Sequence, residues 1–455
     1  MCCTSRDFVL VLRPKPTKAS VQLILWIAVC VTGAFLLRNR PVITVALAVF
    51  MRVAIPSAAV EFVTGRTADS QLQPASYFVL AALAVALLFG RDRVWSELSR
   101  HVVFYAAVAV LFAAALLITV TQRPESSTLF LFDTLGCGIV LCLLARSAFD
   151  GSVENGRLLA LAVVFIASCE AILGIAQWAS GRTLLWERYM ANYYWWTPQA
   201  ARVTGTAGSW LDFALLLAIA VPLAACIRRP ALRFAVAALL SVGILLSQSR
   251  VPLALALVGM AYLIFLSQRG LFVKVIWSLV VVAVGWIAFQ AGLAGGLASR
   301  IATDTTSTLA RAQALRFVFE NFSRQPWTGT GFGSNSLTRE SGLISSFENG
   351  YLMYLWDFGL VFTLLFIVVV LSQLVAQRRQ RTPIPGGWLA LAISAVAIGA
   401  YSGLETAGPG SWLLFLALAF AAPLPHRKVE QRQERTRLAE SASSVAPKAR
   451  AGALP

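Results

Sequence analysis

Charged residues are scarce in this sequence. They make up 13% of its 455 residues, and 58% are hydrophobic, whereas a soluble domain usually carries about 25% charge. A water-facing surface of this size cannot be built from so few charges. The sequence also lacks a long polar interval, since apolar stretches recur from about residue 20 to residue 424. These absences exclude an ordinary soluble protein.

Histidine is nearly absent, and the cysteines follow no metal-binding pattern. The two histidines, His101 and His426, belong to no Cys/His cluster with metal spacing. We therefore expect no bound metal and no cofactor. Two of the seven cysteines lie in the N-terminal tail and five lie inside apolar stretches. A disulfide framework would need cysteines in the outward loops, so none is predicted.

The apolar stretches are each about long enough to cross a membrane, which takes roughly 20 residues of helix. Backbone polar groups find no water in lipid, so a spanning segment must be a helix or a barrel strand. The stretches are continuously apolar and do not alternate, which excludes barrel strands. The sequence predicts an all-α polytopic bundle of about twelve transmembrane helices over 1–424, with a disordered cytoplasmic tail over 425–455.

The net charge of +17 comes mainly from Lys and Arg in short loops. A basic protein can bind nucleic acid, but no soluble basic face exists here to carry it, so we expect no nucleic-acid partner. The positive-inside rule instead assigns these loops to the cytoplasm. Counting backwards by this rule puts Arg38 and Arg40 inside and the basic N-terminus outside. Twelve spans with both ends inside is our preferred resolution of that conflict.

Two larger loops, about 178–207 and 291–348, fall on the opposite, periplasmic side. The first is rich in aromatic residues, including Trp195 and Trp196. Such residues are typical of an interfacial belt, and they could equally form a platform for sugar rings. Arg202 stands apart from them, just before the turn that enters the next apolar stretch.

The second loop contains a predicted helix that Asp304 or Ser307 caps and that runs to about Arg324. Its apolar stripe at helical spacing consists of Leu315, Val318, Phe319 and Phe322. The helix could lie on the membrane surface, or it could form a lid whose Arg311 and Arg316 face an anionic headgroup.

A run of alternating glycines, 326–333, follows that helix. No strand precedes it and no Lys follows, so a tight turn is predicted rather than a nucleotide loop. Glu348 and Asn349 then stand at the start of an apolar stretch. Glu348 could cap that helix, where the macrodipole favours a carboxylate, or it could act in chemistry.

Charged residues inside the apolar stretches are candidates for function or for pairing between helices. They are Arg52, Asp133, Glu170 and Asp212. We expect internal pairing, for instance of Arg52 with Glu170. Asp212 lies ten residues after Arg202 and could orient it.

Three features resemble one family in their order and in their shared outward side. They are Arg202-Val203-Thr204-Gly205-Thr206, then Ser249-Arg250 in a tight turn, then Pro326 to Gly333 followed by Glu348-Asn349-Gly350-Tyr351-Leu352. Over roughly 157–375 the chain resembles the superfamily of O-antigen ligases and Wzy-type polymerases, which act on bacterial lipid-linked polysaccharides.

The sequence departs from the ligase pattern at one informative position. Ligases carry a His followed by Asn, Ser or Gln, then nine residues and a Gly. Asn349 and Gly359 fit this frame, but Glu348 replaces the His, and Phe362 is also off the pattern. The departure favours a repeat-unit polymerase over a ligase.

The resemblance implies a metal-independent glycosyl transfer in the outer leaflet of a bacterial inner membrane, from an undecaprenyl-diphosphate-linked oligosaccharide. Arg202 and Arg250 would neutralise the leaving diphosphate, and Glu348 would accept the proton of the acceptor hydroxyl. Membrane lipid, chain-length regulators and flippases are the other expected partners. The expected ligands of the diphosphate and the sugars are Arg311, Arg316, Asn349, Tyr351, Trp195 and Trp196.

Two alternatives remain open from the sequence. One is a ligase of the same superfamily, which moves polysaccharide onto an acceptor. The other is a transporter or flippase for the lipid-linked oligosaccharide, which should show internal repeats and broken helices at midplane. No clear repeat is present. A cavity around Glu170 would favour transport.

Overall fold

The computed structural model describes residues 18–65, 72–123, 125–150, 152–190, 202–265, 270–290, 305–324, 327–333, 347–379 and 384–422. Within these ranges the regular elements are all helical, which confirms the predicted class. The helices are α1 (Lys18–Leu36), α2 (Pro41–Ala54), α3 (Val60–Thr64), α4 (Pro74–Phe89), α5 (Arg91–Arg100), α6 (Val102–Gln122), α7 (Glu125–Leu131), α8 (Cys137–Phe149), α9 (Val153–Ser180), α10 (Glu187–Met190), α11 (Trp210–Leu223), α12 (Pro230–Leu246), α13 (Arg250–Phe265), α14 (Leu271–Gln290), α15 (Thr305–Asn321), α16 (Gly350–Arg379), α17 (Gly387–Ile398) and α18 (Gly410–Phe420).

Among the described residues, four helices are long and apolar enough to cross a membrane, and up to six are if each of two sharply bent pairs forms one span. The bent pairs are α2 with the segment Ser57–Thr64, at 86°, and α4 with α5, at 99°. Shorter apolar helices, such as α11 and α12, make up much of the rest. The chain is therefore an α-helical membrane protein, and the count of twelve spans stays a prediction.

The bundle has two chemically different ends. At the end we call the basic end, Arg93 approaches Asp150 at 3.9 Å and Arg146 binds Glu97 at 2.7 Å. At the opposite end, which we call the site end, the Trp186 indole donates to Ala54 O at 2.8 Å. Basic loops thus gather at one end, as the positive-inside rule predicts.

The direction of helix α1 shows at which end of the bundle Arg38 lies. The loop charges place Arg38 inside, which puts the basic N-terminus outside. The Arg38 guanidinium lies 4.3 Å from the centre of the Phe35 ring and 5.8 Å from that of Phe89. Trp26 Nε1 donates to Pro74 O at 3.1 Å. Helices α1 and α4 therefore run in the same direction, and α1 ends at the basic end. Arg38 lies on the side to which the loop charges assign it, and α1 begins near the site end. The basic residues that precede α1 lie outside the described residues.

The buried Arg52 is paired with a carboxylate, but not with the predicted one. Arg52 Nη1 lies 2.7 Å from Asp133 Oδ2, and both side chains are almost fully buried. Asp133 Oδ1 also accepts from the Gln73 amide at 2.8 Å and from Ser76 Oγ at 2.6 Å. The predicted pairing of Arg52 with Glu170 is wrong. A π-helical segment, Phe132–Gly136, interrupts α7 and α8 and carries Asp133 on its buried face, so the carboxylate meets Arg52 there.

Helix α16 breaks at Gly359, which has φ 82° and ψ 178°. The turn of residues 327–333 fits into this break: Thr330 N donates to Trp356 O at 3.0 Å, and Gly331 N donates to Asp357 O at 2.8 Å. A Cβ on Gly359 would collide with the Trp327 carbonyl, and one on Gly329 would collide with the Asp357 backbone. The tight turn predicted for the glycine run is confirmed, and close backbone approach explains its glycines.

Replacing Asp133 with Asn should destabilise the protein strongly, because it leaves the Arg52 charge buried without its counter-ion. We expect a loss of about 3–5 kcal/mol in the free energy of unfolding, measured by thermal or denaturant unfolding in detergent. The matched control is Asp150→Asn, which removes one partner of the exposed pair with Arg93 and should change stability by less than about 1 kcal/mol. Equal effects of the two changes would contradict this role.

Replacing Gly359 with Ala should disrupt the break in α16 and destabilise the protein, because φ 82° with ψ 178° is a region that only glycine adopts readily. We expect a fall in the unfolding midpoint and in the yield of folded protein. Gly270→Ala is the control, since a Cβ there meets nothing within 4 Å. An unfolding midpoint for Gly359→Ala at the wild-type value would show that the break is not needed.

Candidate active site

Arg202 is held against the turn between α12 and α13. Its Nε donates to Ser247 O at 2.9 Å, and its Nη2 lies 3.4 Å from Ser249 Oγ. The guanidinium also stacks over the Trp210 ring, 4.0 Å from the ring centre. A side chain with this many contacts keeps one orientation, so its charge is fixed at the site end.

Arg250 follows the same turn and begins α13. Its side chain is exposed. A cation at the first residue of a helix is electrostatically unfavourable, because the helix N-terminus already carries positive potential. Arg202, Arg250 and the start of α13 thus concentrate positive charge at one turn. This arrangement suits an anion such as a phosphate.

The backbone that carries Arg202 into α11 is fixed by two buried side chains of α9. Gln177 Oε1 accepts from Gly205 N at 3.0 Å, and Gln177 Nε2 donates to Gly205 O at 2.8 Å. Glu170 Oε2 accepts from Thr206 N at 2.8 Å. Gly205 has φ 57°, and a Cβ there would collide with Glu170. The role of Gln177 was missed from the sequence, although it stands seven residues after Glu170 on the same face of a helix.

Asn349, and not Glu348, caps α16. Asn349 Oδ1 accepts from Tyr351 N at 3.0 Å and from Leu352 N at 3.1 Å, which is the geometry of an N-cap. Capping by Glu348, one of the two roles considered from the sequence, is therefore wrong. Glu348 has φ 48°, a conformation that costs a residue other than glycine about 1–3 kcal/mol and that clusters at functional sites.

Arg311 of α15 meets the Glu348 carboxylate. Its Nε lies 3.1 Å from Glu348 Oε2, and its Nη2 donates to Ala400 O at 3.2 Å. Both side chains are partly exposed. Helix α15 is therefore tied to the start of α16 and to the segment after α17 through one arginine.

The face that α15 presents to the bundle differs from the predicted stripe. Its buried side chains include Ala314 and Val318, which pack with Phe347, Leu352 and Met353. Of the predicted apolar stripe, Val318 is buried, whereas Leu315 and Phe319 are exposed. In a membrane protein an apolar side chain can face lipid, so hydrophobic periodicity does not identify the face that packs on protein.

Arg316 points away from Arg311. It forms an exposed ion pair with Glu320, 2.6 Å from Nε to Oε1, one turn along α15. The two arginines are five residues apart and lie on different sides of the helix. The structure therefore does not bring both toward one headgroup. A role for Arg316 in binding the diphosphate stays a prediction.

Asp212 lies in the first turn of α11, and its side chain is buried. Its Oδ1 accepts from the Tyr401 hydroxyl at 3.1 Å. Burial and the neighbouring Asp212 carboxylate raise the pKa of Tyr401 well above its usual value, so the phenol keeps its proton and donates it. Asp212 acts on Arg202 at most indirectly, by fixing the turn of α11 that holds Trp210.

The remaining predicted ligands of the diphosphate and the sugars are Asn349, Tyr351, Trp195 and Trp196. The Tyr351 hydroxyl donates to Ala395 O at 2.7 Å and so ties α16 to α17. Sugar or phosphate binding by Asn349 and Tyr351 stays a prediction. Trp195 and Trp196 lie outside the described residues. Among the residues that the structure describes, no group of three or more His, Cys, Asp or Glu could hold a metal ion.

We call residues 247–250, with Arg202 packed against them, the arginine turn. A continuous path of contacts joins the arginine turn to Glu348. Arg202 stacks on Trp210, and Asp212 follows two residues later and binds Tyr401. Ala400, next to Tyr401, accepts from Arg311, which pairs with Glu348. Arg202, Arg250 and Glu348 therefore belong to the same end of the bundle. The geometry provides a positively charged turn and a carboxylate that share one supporting framework.

Comparison with known families gives one match. The family model described as O-antigen ligase matches residues 235–367, from within α12 to within α16. This range includes Arg250, α15, the glycine turn, Glu348 and Gly359, and Arg202 lies before it. No curated protein matches the chain. The match confirms the resemblance drawn from the motifs: over residues 235–367 the chain is similar to the O-antigen ligase family.

Proposed function

We propose that this protein polymerises undecaprenyl-diphosphate-linked oligosaccharide repeat units by glycosyl transfer at the periplasmic face of a bacterial inner membrane. The family match supports an O-antigen ligase or polymerase type of function in general. The observation that carries the proposal is the arginine turn at the start of α13 with the Glu348 carboxylate at the same end of the bundle.

The arginine turn would stabilise the leaving group. In the reaction the acceptor hydroxyl oxygen bonds to the anomeric carbon of the donor sugar, and the bond from that carbon to the diphosphate breaks. The diphosphate leaves with the bonding electrons and its negative charge. Arg202 and Arg250 would neutralise that charge, since guanidinium matches phosphate oxygens in bidentate geometry and stays protonated. Arg202 is already fixed by Ser247 and Trp210, so little reorganisation is needed.

Glu348 would accept the proton that the acceptor hydroxyl loses. Its ion pair with Arg311 occupies one carboxylate oxygen before substrate arrives. Arg311 can also bind phosphate. A donor diphosphate would therefore compete with Glu348 for Arg311, and binding of the donor would release the carboxylate for its task. This exchange would link donor binding to activation of the acceptor.

The position of Glu348 also supports a polymerase over a ligase, the second candidate. Asn349 and Gly359 complete the ligase frame, but both have structural roles here, one as a helix cap and one at the α16 break. The frame therefore fits either activity. The residue before Asn349 carries the chemical difference, and here it is a carboxylate.

Transport is less well supported by the buried charges. Arg52 and Asp133 pair with each other, and Glu170 binds the backbone of the turn after Arg202. These contacts account for the charges as structural groups. A flippase would use such groups to carry a substrate through the bilayer.

Gel analysis of surface glycans from a strain that lacks this gene would test the assignment. If the protein is the polymerase, the strain should carry single repeat units on its acceptor. Polymer that accumulates on the lipid carrier would identify a ligase instead. Lipid-linked repeat units trapped at the cytoplasmic leaflet would identify a flippase.

Replacing Arg202 or Arg250 with Ala should lower the rate of chain extension by about 10²–10³-fold, the usual effect of removing one stabiliser of transition-state charge. The readout is polymer length and amount in the deletion strain complemented with each variant, with membrane levels checked by immunoblot. Arg182→Ala is the control because Arg182 is an exposed arginine that pairs with Glu187. Normal polymer from either site variant would contradict the leaving-group role.

Replacing Glu348 with Gln should reduce activity by about 10²–10⁴-fold, since the amide cannot accept the proton, whereas Glu348→Asp should keep part of it. Stability should change little, because Glu348 is partly exposed and does not cap α16. Glu320→Gln, which alters an exposed carboxylate of α15, serves as the control. Full polymer formation by Glu348→Gln would exclude Glu348 as the base.

A further inference from the structure

The basic end contains a cleft that the proposed chemistry does not use. It lies between α1, α2, α4, α5 and α8 and is open to the surface, with an inner cavity of only about 50 Å³. Its walls are mainly aliphatic, with Val45, Val85 and Leu144 among the lining residues, and Arg38 and Arg93 contribute the two charges of the lining. A cleft with apolar walls and two guanidinium groups suits a molecule that is part anion and part hydrocarbon.

The two arginines are available at the cleft. Arg38 lies over the rings of Phe35 and Phe89, which orient its guanidinium without neutralising it. Arg93 approaches Asp150 only at 3.9 Å, with about half of its side chain exposed. An exposed ion pair at that distance is weak. Both cations can therefore bind an incoming anion at small cost.

The surface beside the cleft is apolar and exposed. Leu36 at the end of α1 is 71% exposed, and Leu88 near the end of α4 is 75% exposed. They stand two residues before the lining residues Arg38 and Gly90 in the sequence. A hydrocarbon chain that leaves the cleft would meet them directly. A soluble phosphate would leave both the aliphatic walls and these leucines uncovered.

We propose that this cleft binds one anionic phospholipid, with its phosphate between Arg38 and Arg93 and an acyl chain along Leu36 and Leu88. Basic pockets between membrane helices commonly recognise anionic headgroups. The α4–α5 bend of 99° makes the pocket here, because it brings Arg93 across the end of α4 toward Arg38. The site is separate from the proposed catalytic end and does not depend on the proposed function.

Lipid binding to the purified full chain tests this proposal. Phosphatidylglycerol would be titrated into the protein in detergent, and bound lipid would be counted by native mass spectrometry. A juxtamembrane arginine contributes about 1 kcal/mol to anionic lipid binding, so the double variant Arg38→Gln/Arg93→Gln should bind about 30-fold more weakly. Phosphatidylethanolamine, which has no net charge, should bind the wild-type protein weakly.

A matched control separates the cleft from the general charge of this end. Arg228→Gln/Arg229→Gln removes the same charge from exposed positions that do not line the cleft, and it should leave phosphatidylglycerol binding within about two-fold of wild type. Ala86→Trp fills the cleft without changing charge and should also weaken binding. Equal loss in the control and the cleft variant would overturn the proposal. So would unchanged binding by Ala86→Trp, or competition by free glycerol phosphate at the concentration of the lipid.

Discussion

The ion pair between Arg52 and Asp133 organises the site end. It joins α2 to the π-helical segment before α8, and Asp133 also holds the start of α4 through Gln73 and Ser76. Arg52 Nη2 donates to Gly408 O at 3.0 Å and so reaches the loop before α18. In a membrane these groups have no water to bind, so each depends on the others. The loop that they fix is the same loop that carries Tyr401.

The contacts around the candidate catalytic side chains hold some of them more firmly than others. Arg202 is held by a turn, a ring and the buried Gln177 and Glu170 contacts behind it. Glu348 has a strained backbone and a partly exposed ion pair to α15. The turn that carries Arg202 is therefore preorganised, and the Glu348 carboxylate contacts α15 through Arg311. Such a division suits an enzyme that must bind a fixed diphosphate and admit acceptors of growing length.

Much of the fold could be predicted from the sequence because lipid imposes simple rules. Continuous apolar stretches indicated the helices, and the loop arginines indicated the basic end. Pairings could not be predicted in this way, because the partner of Arg52 depends on a local π-helical segment that hydropathy does not reveal. The sequence also did not show which face of α15 packs on the bundle, since lipid accepts Leu315 and Phe319 as readily as protein does. The motifs singled out Arg202, Arg250 and Glu348, but only the structure shows the contacts, such as that of Tyr401 with Asp212, that join them.

The strain at Glu348 bears on the choice between polymerase and ligase. A structural requirement would favour Gly or Asn at φ 48°, since those residues adopt the left-handed region most easily. The cap is supplied by Asn349, and the break in α16 is supplied by Gly359, so neither explains a glutamate. What a glutamate adds at this position is a carboxylate that pairs with Arg311. Under the proposed function, the need for this carboxylate outweighs the backbone preference, and the residue before the helix cap is where this chain departs from the ligase pattern.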